Sequence, residues 1–220
     1  MPHTLCVGQN RFVIEGLEMI LGYHIILGTY GFWLPNDPRG SYSKHVWSPD
    51  LAKHGPATTV KTKHSRAADP HDIPKRLRAK RDLKFPEVFL SGVQAQELAL
   101  GIGEAVSKYD FQLLAFAILE QHIHCVARSS SMQSEAIVKQ MKRYAGNRLS
   151  RSGKNPLASF REENNNRIPS VWARGFWKRY IDSEDQLLNT IRYVEQNPIK
   201  EGKRAQYWSF VSKNDDLPHT

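Results

Sequence analysis

Three scarcities narrow what this 220-residue chain can be. Only two cysteines occur, Cys6 and Cys125, too few for a disulfide scaffold or a cysteine-rich zinc module, and this usage suits a reducing cytoplasm. Long apolar runs are missing as well. No segment approaches the roughly 20 uninterrupted apolar residues of a membrane-spanning helix, and the longest candidate, Ile20 to Leu34, is broken by His24 and by glycines. The opening MPHTLCVGQNRFVIEG lacks the basic start and apolar core of a signal peptide. Acidic residues are the third deficit: 22 Asp and Glu face 31 Lys and Arg, a net charge of +9. That surplus predicts attraction to polyanions, nucleic acid before membrane, and a cytoplasmic, nucleoid-associated location.

The positive charge is concentrated. From Arg39 to Lys84 the chain has twelve Lys or Arg against four Asp, so this segment holds eight of the nine net charges. It is rich in Pro, Gly, Ser and His and lacks sustained periodicity, which predicts a loop-like basic insertion over about 39–84. Such a segment is either a solvated linker or an arm that tracks a phosphate backbone. The expected organisation is an N-terminal extension (1–20), one domain (21–205) that holds the insertion, and a C-terminal tail (206–220).

On either side of the insertion the patterns are regular. YHIILGTYGFW (Tyr23 to Trp33) is dense in β-branched and aromatic residues and stops at LPNDPRG, so it predicts a strand and a turn. Ser91 and Gln94 form a capping box ahead of apolar residues at Leu98, Ile102, Ala105 and Val106, a helical signature. FQLLAFAIL is a buried strand, and HIHCVAR returns as its antiparallel partner after Glu120 and Gln121. A helix over about 133–150 follows, with Ile137, Met141, Ala145 and Leu149 on one stripe. PSVWARGFWKRYIDS is β-like, and Ser183 with Gln186 caps a last helix that Pro198 ends. The order predicts an α+β fold in which helices pack on an antiparallel sheet, close to the split βαβ ferredoxin-like arrangement.

Two features carry chemistry. Side chains alternate along a strand, so His122 and His124 project together while Ile123 and Cys125 point to the opposite face. Paired neutral imidazoles can ligate one divalent cation, yet a His-x-His pair in a chain with nine histidines, taken alone, reads first as two strand residues with no such role. In the last helix, Leu187, Ile191 and Val194 lie within about 80° and form the buried stripe, whereas Tyr193 stands about 120° from its centre. Asn197 falls about 40° from Tyr193, so a phenol and a carboxamide share one face.

Four stretches now fall into one order: TYGFWLPNDPRGS, HIH, ARGFW and IRYVEQNPIKEG. Together they resemble the REP-associated tyrosine transposases, a branch of the single-tyrosine HUH transposase superfamily acting on single-stranded DNA, and the likeness runs from about Tyr23 to Gly202. The resemblance implies an HUH fold with His122 and His124 as the paired metal ligands and Tyr193 as the nucleophile. Related insertion-sequence transposases complete the metal site with a glutamine four residues after the tyrosine. Here that position is Asn197, with Gln196 just before it as the alternative ligand. The implied reaction is metal-dependent cleavage and rejoining of hairpin-containing DNA through a 5′-phosphotyrosine, with Mg²⁺ or Mn²⁺ as cofactor. The implied partner is single-stranded hairpin DNA from repetitive palindromic elements, bound by a monomer.

Basic residues interleave with aromatics in KQMKRYAGNRLSR and WARGFWKRY. Lys139, Lys142, Arg143, Arg148, Arg151, Arg174, Lys178 and Arg179 are therefore candidate phosphate contacts, and Trp172 and Trp177 candidate stacking platforms for unpaired bases. Three other readings stay open at this point. They are a non-catalytic hairpin-binding protein of the same fold, a hydrolase in which His122 and His124 activate water, and an unrelated basic RNA-binding protein.

Overall fold

Alternation in four short runs builds the sheet around which everything else is placed. The computed structural model describes residues 19–35, 37, 45–46, 48–57 and 70–212. In chain order its elements are β1 (Gly22–Gly28), α1 (Pro49–Ala52), α2 (Ile73–Arg81), α3 (Gly92–Tyr109), β2 (Leu113–Ile118), β3 (His122–Arg128), α4 (Ser134–Arg151), β4 (Trp177–Ile181) and α5 (Glu184–Lys200). The strands lie in the order β2-β3-β1-β4, with every neighbouring pair antiparallel. This is the ferredoxin-like α+β arrangement that the element order predicts.

Parity divides the side chains between two cores. Tyr23, Ile25 and Leu27 of β1 and Ile123, Cys125 and Ala127 of β3 join the large core beneath α3 and α4. Burial pushes the Cys125 thiol up to about 12, so this cysteine acts as a small apolar residue. Val126 of β3 and Ile181 of β4 face the other way, into a smaller core with Leu187, Ile191 and Val194 of α5. α5 therefore lies across β2 and β3 on the face opposite α3 and α4.

The helices follow their local signals. α3 starts with the predicted box: Ser91 Oγ accepts from the Gln94 amide at 3.3 Å, and Gln94 Oε1 accepts from the Ser91 amide at 2.9 Å. α4 buries Ile137, Met141, Ala145 and Leu149 as its spacing predicts. In α5, Ser183 makes no side-chain cap; Gln186 Oε1 instead accepts from the Asp182 amide at 3.2 Å. Pro198 does not end that helix, which continues to Lys200. The fixed proline φ is helical, and near a C-terminus its missing N–H removes a single bond.

Parts of the insertion have more structure than a loop. Asp72 accepts from the Lys75 amide at 2.8 Å and starts α2, with Pro74 in the first turn and Arg78, Lys80 and Arg81 in the last. Residues 39–44, 47 and 58–69 of the insertion lie outside the described residues. Residues 206–212, assigned from sequence to a tail, dock along β2: Gln206 both donates to the Ile118 carbonyl at 2.7 Å and accepts from its amide at 2.9 Å. Among the described residues no helix is long and apolar enough to cross a membrane.

Candidate active site

The register of β1 on β3 assembles a third histidine with the predicted pair. His122 stands opposite Gly28, His124 opposite Ile26, and His24 opposite Val126. All three imidazoles therefore project from the α5 face of the sheet. His24 Nε2 lies 3.1 Å from His124 Nδ1, a hydrogen bond within a buried pair whose rings stack with centroids 5.4 Å apart. The His122 ring stands edge-on to His124 at 4.8 Å and is covered by Phe32, stacked at 4.7 Å. Phe32 arrives there through a turn closed by its own amide on the Thr29 carbonyl at 3.0 Å.

Burial sets the protonation state. It pushes His24 down to about 4, with the nearby Arg179 charge adding to the effect. Burial likewise holds His124 well below the usual imidazole range, assisted by His122 and His24. Both rings are thus neutral at physiological pH and retain a lone pair.

α5 brings the tyrosine to this cluster. Tyr193 is 41% exposed although it flanks the buried stripe. Its ring meets His24 and His124 edge-on, with centroids 5.8 Å from each, and Lys200 Nζ lies 5.0 Å over it. One turn on, Asn197 is buried, and its Nδ2 has no hydrogen-bond partner. Gln196 is exposed. From β4, Trp177 and Arg179 stand half-buried on the same sheet face: Arg179 pairs with His24 in register, and the Trp177 ring lies 5.3 Å from that histidine.

The remaining sequence candidates sit elsewhere. Lys142 is turned inward, donating to the Ala173 carbonyl at 2.8 Å and the Gly175 carbonyl at 2.6 Å, and burial pushes it down to about 8. Trp172 is buried, with Nε1 donating to the Lys142 carbonyl at 3.0 Å. Arg148 pairs with Glu97 and Glu104, Arg151 with Glu104, and Arg143 donates to the Tyr109 hydroxyl. Lys178 points to the α4 side, where it meets Glu135 at 2.6 Å and Ser134 at 3.0 Å. Lys139 and Arg174 are exposed.

Sequence reasoning missed His24, Phe32 and Lys200 as site neighbours. The alternation Tyr23-His24-Ile25 already puts His24 on the face away from the main core, but only strand pairing tells which histidines it joins.

The chemical fit for a cation is a neutral one. Among the described residues no group of three or more His, Cys, Asp or Glu side chains is arranged to hold a metal ion. The candidate ligands are His122, His124 and the buried Asn197 amide, whose oxygen rather than its unpartnered Nδ2 would face a cation, a set that suits a divalent ion taking its negative oxygens from a bound phosphate.

The family described as IS200-like transposase matches residues 87–197, a span that includes His122, His124, Tyr193 and Asn197 and leaves out His24 and Phe32. A curated protein of Haemophilus influenzae, assigned by inference as a REP-associated tyrosine transposase, is 24% identical over 112 residues. The match covers 50% of this chain and 62% of that relative, so the chain spans about three fifths of the relative's length. Of solved structures, a REP-associated tyrosine transposase bound to a REP hairpin gives a TM-score of 0.40 at 19% identity, over 55% of this chain and 64% of that one. An inferred transposase from Deinococcus radiodurans gives 0.38 at 12% identity, over 86% and 96%.

Proposed function

Because the chain belongs to the IS200-like transposase family, we propose that it cleaves and rejoins single-stranded, hairpin-containing DNA with Tyr193 as the nucleophile. The observation that carries this reading is the seat of Tyr193: a phenol open to solvent, held against two buried and neutral imidazoles. Structural packing alone favours burying a tyrosine ring. Here the residue keeps about two fifths of its surface open to solvent.

The reaction conserves the phosphodiester. The Tyr193 oxygen bonds to phosphorus, the bond from phosphorus to the 3′ oxygen breaks, and that oxygen leaves as a 3′-hydroxyl with a proton in place of the one the phenol gives up. A 5′-phosphotyrosine remains, and another 3′-hydroxyl reverses the step to join strands without external energy. A phenol with an ordinary pKa of about 10 is a poor nucleophile at neutral pH. A divalent cation, Mg²⁺ or Mn²⁺ by family resemblance, would be held by His122, His124 and Asn197 and would supply charge neutralisation at the phosphate oxygens. The chain's own part is to hold those donors and the phenol on one surface.

The reacting strand is proposed to lie on the α5 face beside β1 and β4. Trp177 offers a ring for base stacking there, and Arg179 offers a charge for the backbone. Exposed Lys139 and Arg174, with the basic insertion, add contacts to the flanking hairpin; Arg143, Arg148, Arg151 and Lys178 are already engaged by the partners named above and contribute less. The REP association in the name of the curated relative supports a repetitive palindromic element as the hairpin. A single chain carries all the proposed groups, which supports a monomer.

Labelled hairpin DNA incubated with the protein in Mn²⁺ or EDTA and resolved on a denaturing protein gel tests the reading. A metal-dependent, slower protein band that carries a 3′-end label but no 5′-end label, and that vanishes in Tyr193→Phe, is expected. DNA shifted on native gels with no covalent band would instead establish a hairpin-binding protein, and cleavage surviving in Tyr193→Phe would establish a hydrolase.

A further inference from the structure

We propose that His24 is a positioning residue for His124: His24 Nε2 accepts the Nδ1–H of His124 and so fixes the tautomer in which His124 Nε2 presents its lone pair to the bound cation. The inference rests on the reading of His124 as a ligand. It concerns a residue 100 positions away in sequence and outside the matched span 87–197.

The 3.1 Å separation between His24 Nε2 and His124 Nδ1 requires one hydrogen between them. A neutral imidazole has one N–H and one lone pair. The bond therefore runs in one of two directions, and they differ in consequence. If His24 donates, His124 carries its own hydrogen on Nε2 and has no lone pair left on that nitrogen. If His124 donates, Nε2 is bare. Only the second direction leaves His124 able to ligate, because Nδ1 is already engaged in either case.

The surroundings hold His24 in the orientation this role needs. Trp177 stands edge-on to its ring at 5.3 Å and 79°, and Tyr193 edge-on at 5.8 Å and 75°, while β1 fixes its backbone opposite Val126 and Arg179. Ligating histidines ordinarily donate their second N–H to a carboxylate, a carbonyl or water. An imidazole in that place orients the ligand without adding negative charge. Tyr193 also rests against both members of the pair, so the same bond sets the floor on which the phenol stands.

Nitrogen-15 imidazole spectra of the metal-free chain decide the direction. The expected result is His124 protonated on Nδ1 with Nε2 bare; a His124 hydrogen on Nε2 would overturn the proposal. Mn²⁺ titration gives the second readout. His24→Leu should weaken Mn²⁺ binding by about 10–100-fold, whereas His24→Gln, whose carbonyl oxygen can accept the same hydrogen, should stay within a few-fold of wild type. His24→Leu melting cooperatively and binding Mn²⁺ as wild type does, or His24→Gln losing as much as His24→Leu, would equally overturn it. If His24→Leu fails to fold, the wild-type spectrum still decides. A wild-type chain with the expected tautomer that takes up no Mn²⁺ would sink the metal reading of the site and leave the bond from His124 to His24 standing.

Discussion

Asn197 occupies a position that stability alone would give to a leucine. It continues the stripe of Leu187, Ile191 and Val194, is 9% exposed, and has an amide nitrogen without a partner. A buried polar atom left unsatisfied costs about 1–3 kcal/mol. Asn197→Leu should therefore raise the unfolding free energy of the metal-free chain, read from urea melts, by up to that amount while abolishing the metal-dependent adduct. Gln196→Ala, at an exposed position, should change neither. A less stable but fully active Asn197→Leu would show that the amide serves the fold.

The cations divide by the same kind of reasoning. Lys142 is held by two carbonyls, so Lys142→Met should destabilise the fold by about 1–3 kcal/mol and leave the salt dependence of hairpin binding unchanged. Arg179→Ala should do the opposite. Losing one phosphate contact lowers the magnitude of the slope of log K against log salt by roughly 0.7–0.9. Filter-binding titrations across a salt series measure both.

Among the elements, α3 packs directly on the backbone of α4, and Gly101 permits it. A Cβ at that position would stand 2.7 Å from both the Ala145 Cα and the Tyr144 carbonyl oxygen, atoms of a rigid backbone. Gly101→Ala gains about 1 kcal/mol in helix propensity, yet overpacking costs about 1–3 kcal/mol, and the backbone contact should make the net change destabilising in thermal melts. The same elements show what the sequence could reveal. The capping box of α3, the β2–β3 hairpin and the parity of His122 and His124 are local, and each was legible because its cause lies within a few residues. α2 had a local signal too, Asp72 ahead of Pro74, but its sparse apolar content buries only Ala79 and leaves no periodicity to read. The joining of His24 to His124 had no local cause at all: it follows from which strands become neighbours. Likewise, the cations of α4 look available in sequence because their acidic partners, Glu97 and Glu104, sit on α3.

At the scale of the whole molecule, gathering neutral histidines beneath the active face ties folding to pH. Burial lowers His24 from its ordinary value near 6.5 to about 4, and His124 moves in the same direction. Between those values the unfolded chain binds a proton that the folded chain does not, so stability rises with pH through this window and falls on acidification. One such histidine removes about 2 kcal/mol between about pH 6.5 and 5, at 1.36 kcal/mol per unit of displacement. Carboxylates do not confuse the window. Glu97, held below its usual range by hydrogen bonds from Arg148 and Lys154, and Glu135, held by Lys178, contribute stability that persists above ordinary carboxylate values and is lost only below them. Urea midpoints in EDTA should therefore drop steadily from pH 7 to 5, and the slope should shallow in His24→Leu because one of the two displaced groups is gone. A flat profile over that range would mean that water or a cation reaches these imidazoles in the folded chain, and that the pair is not the dry floor on which Tyr193 is proposed to act.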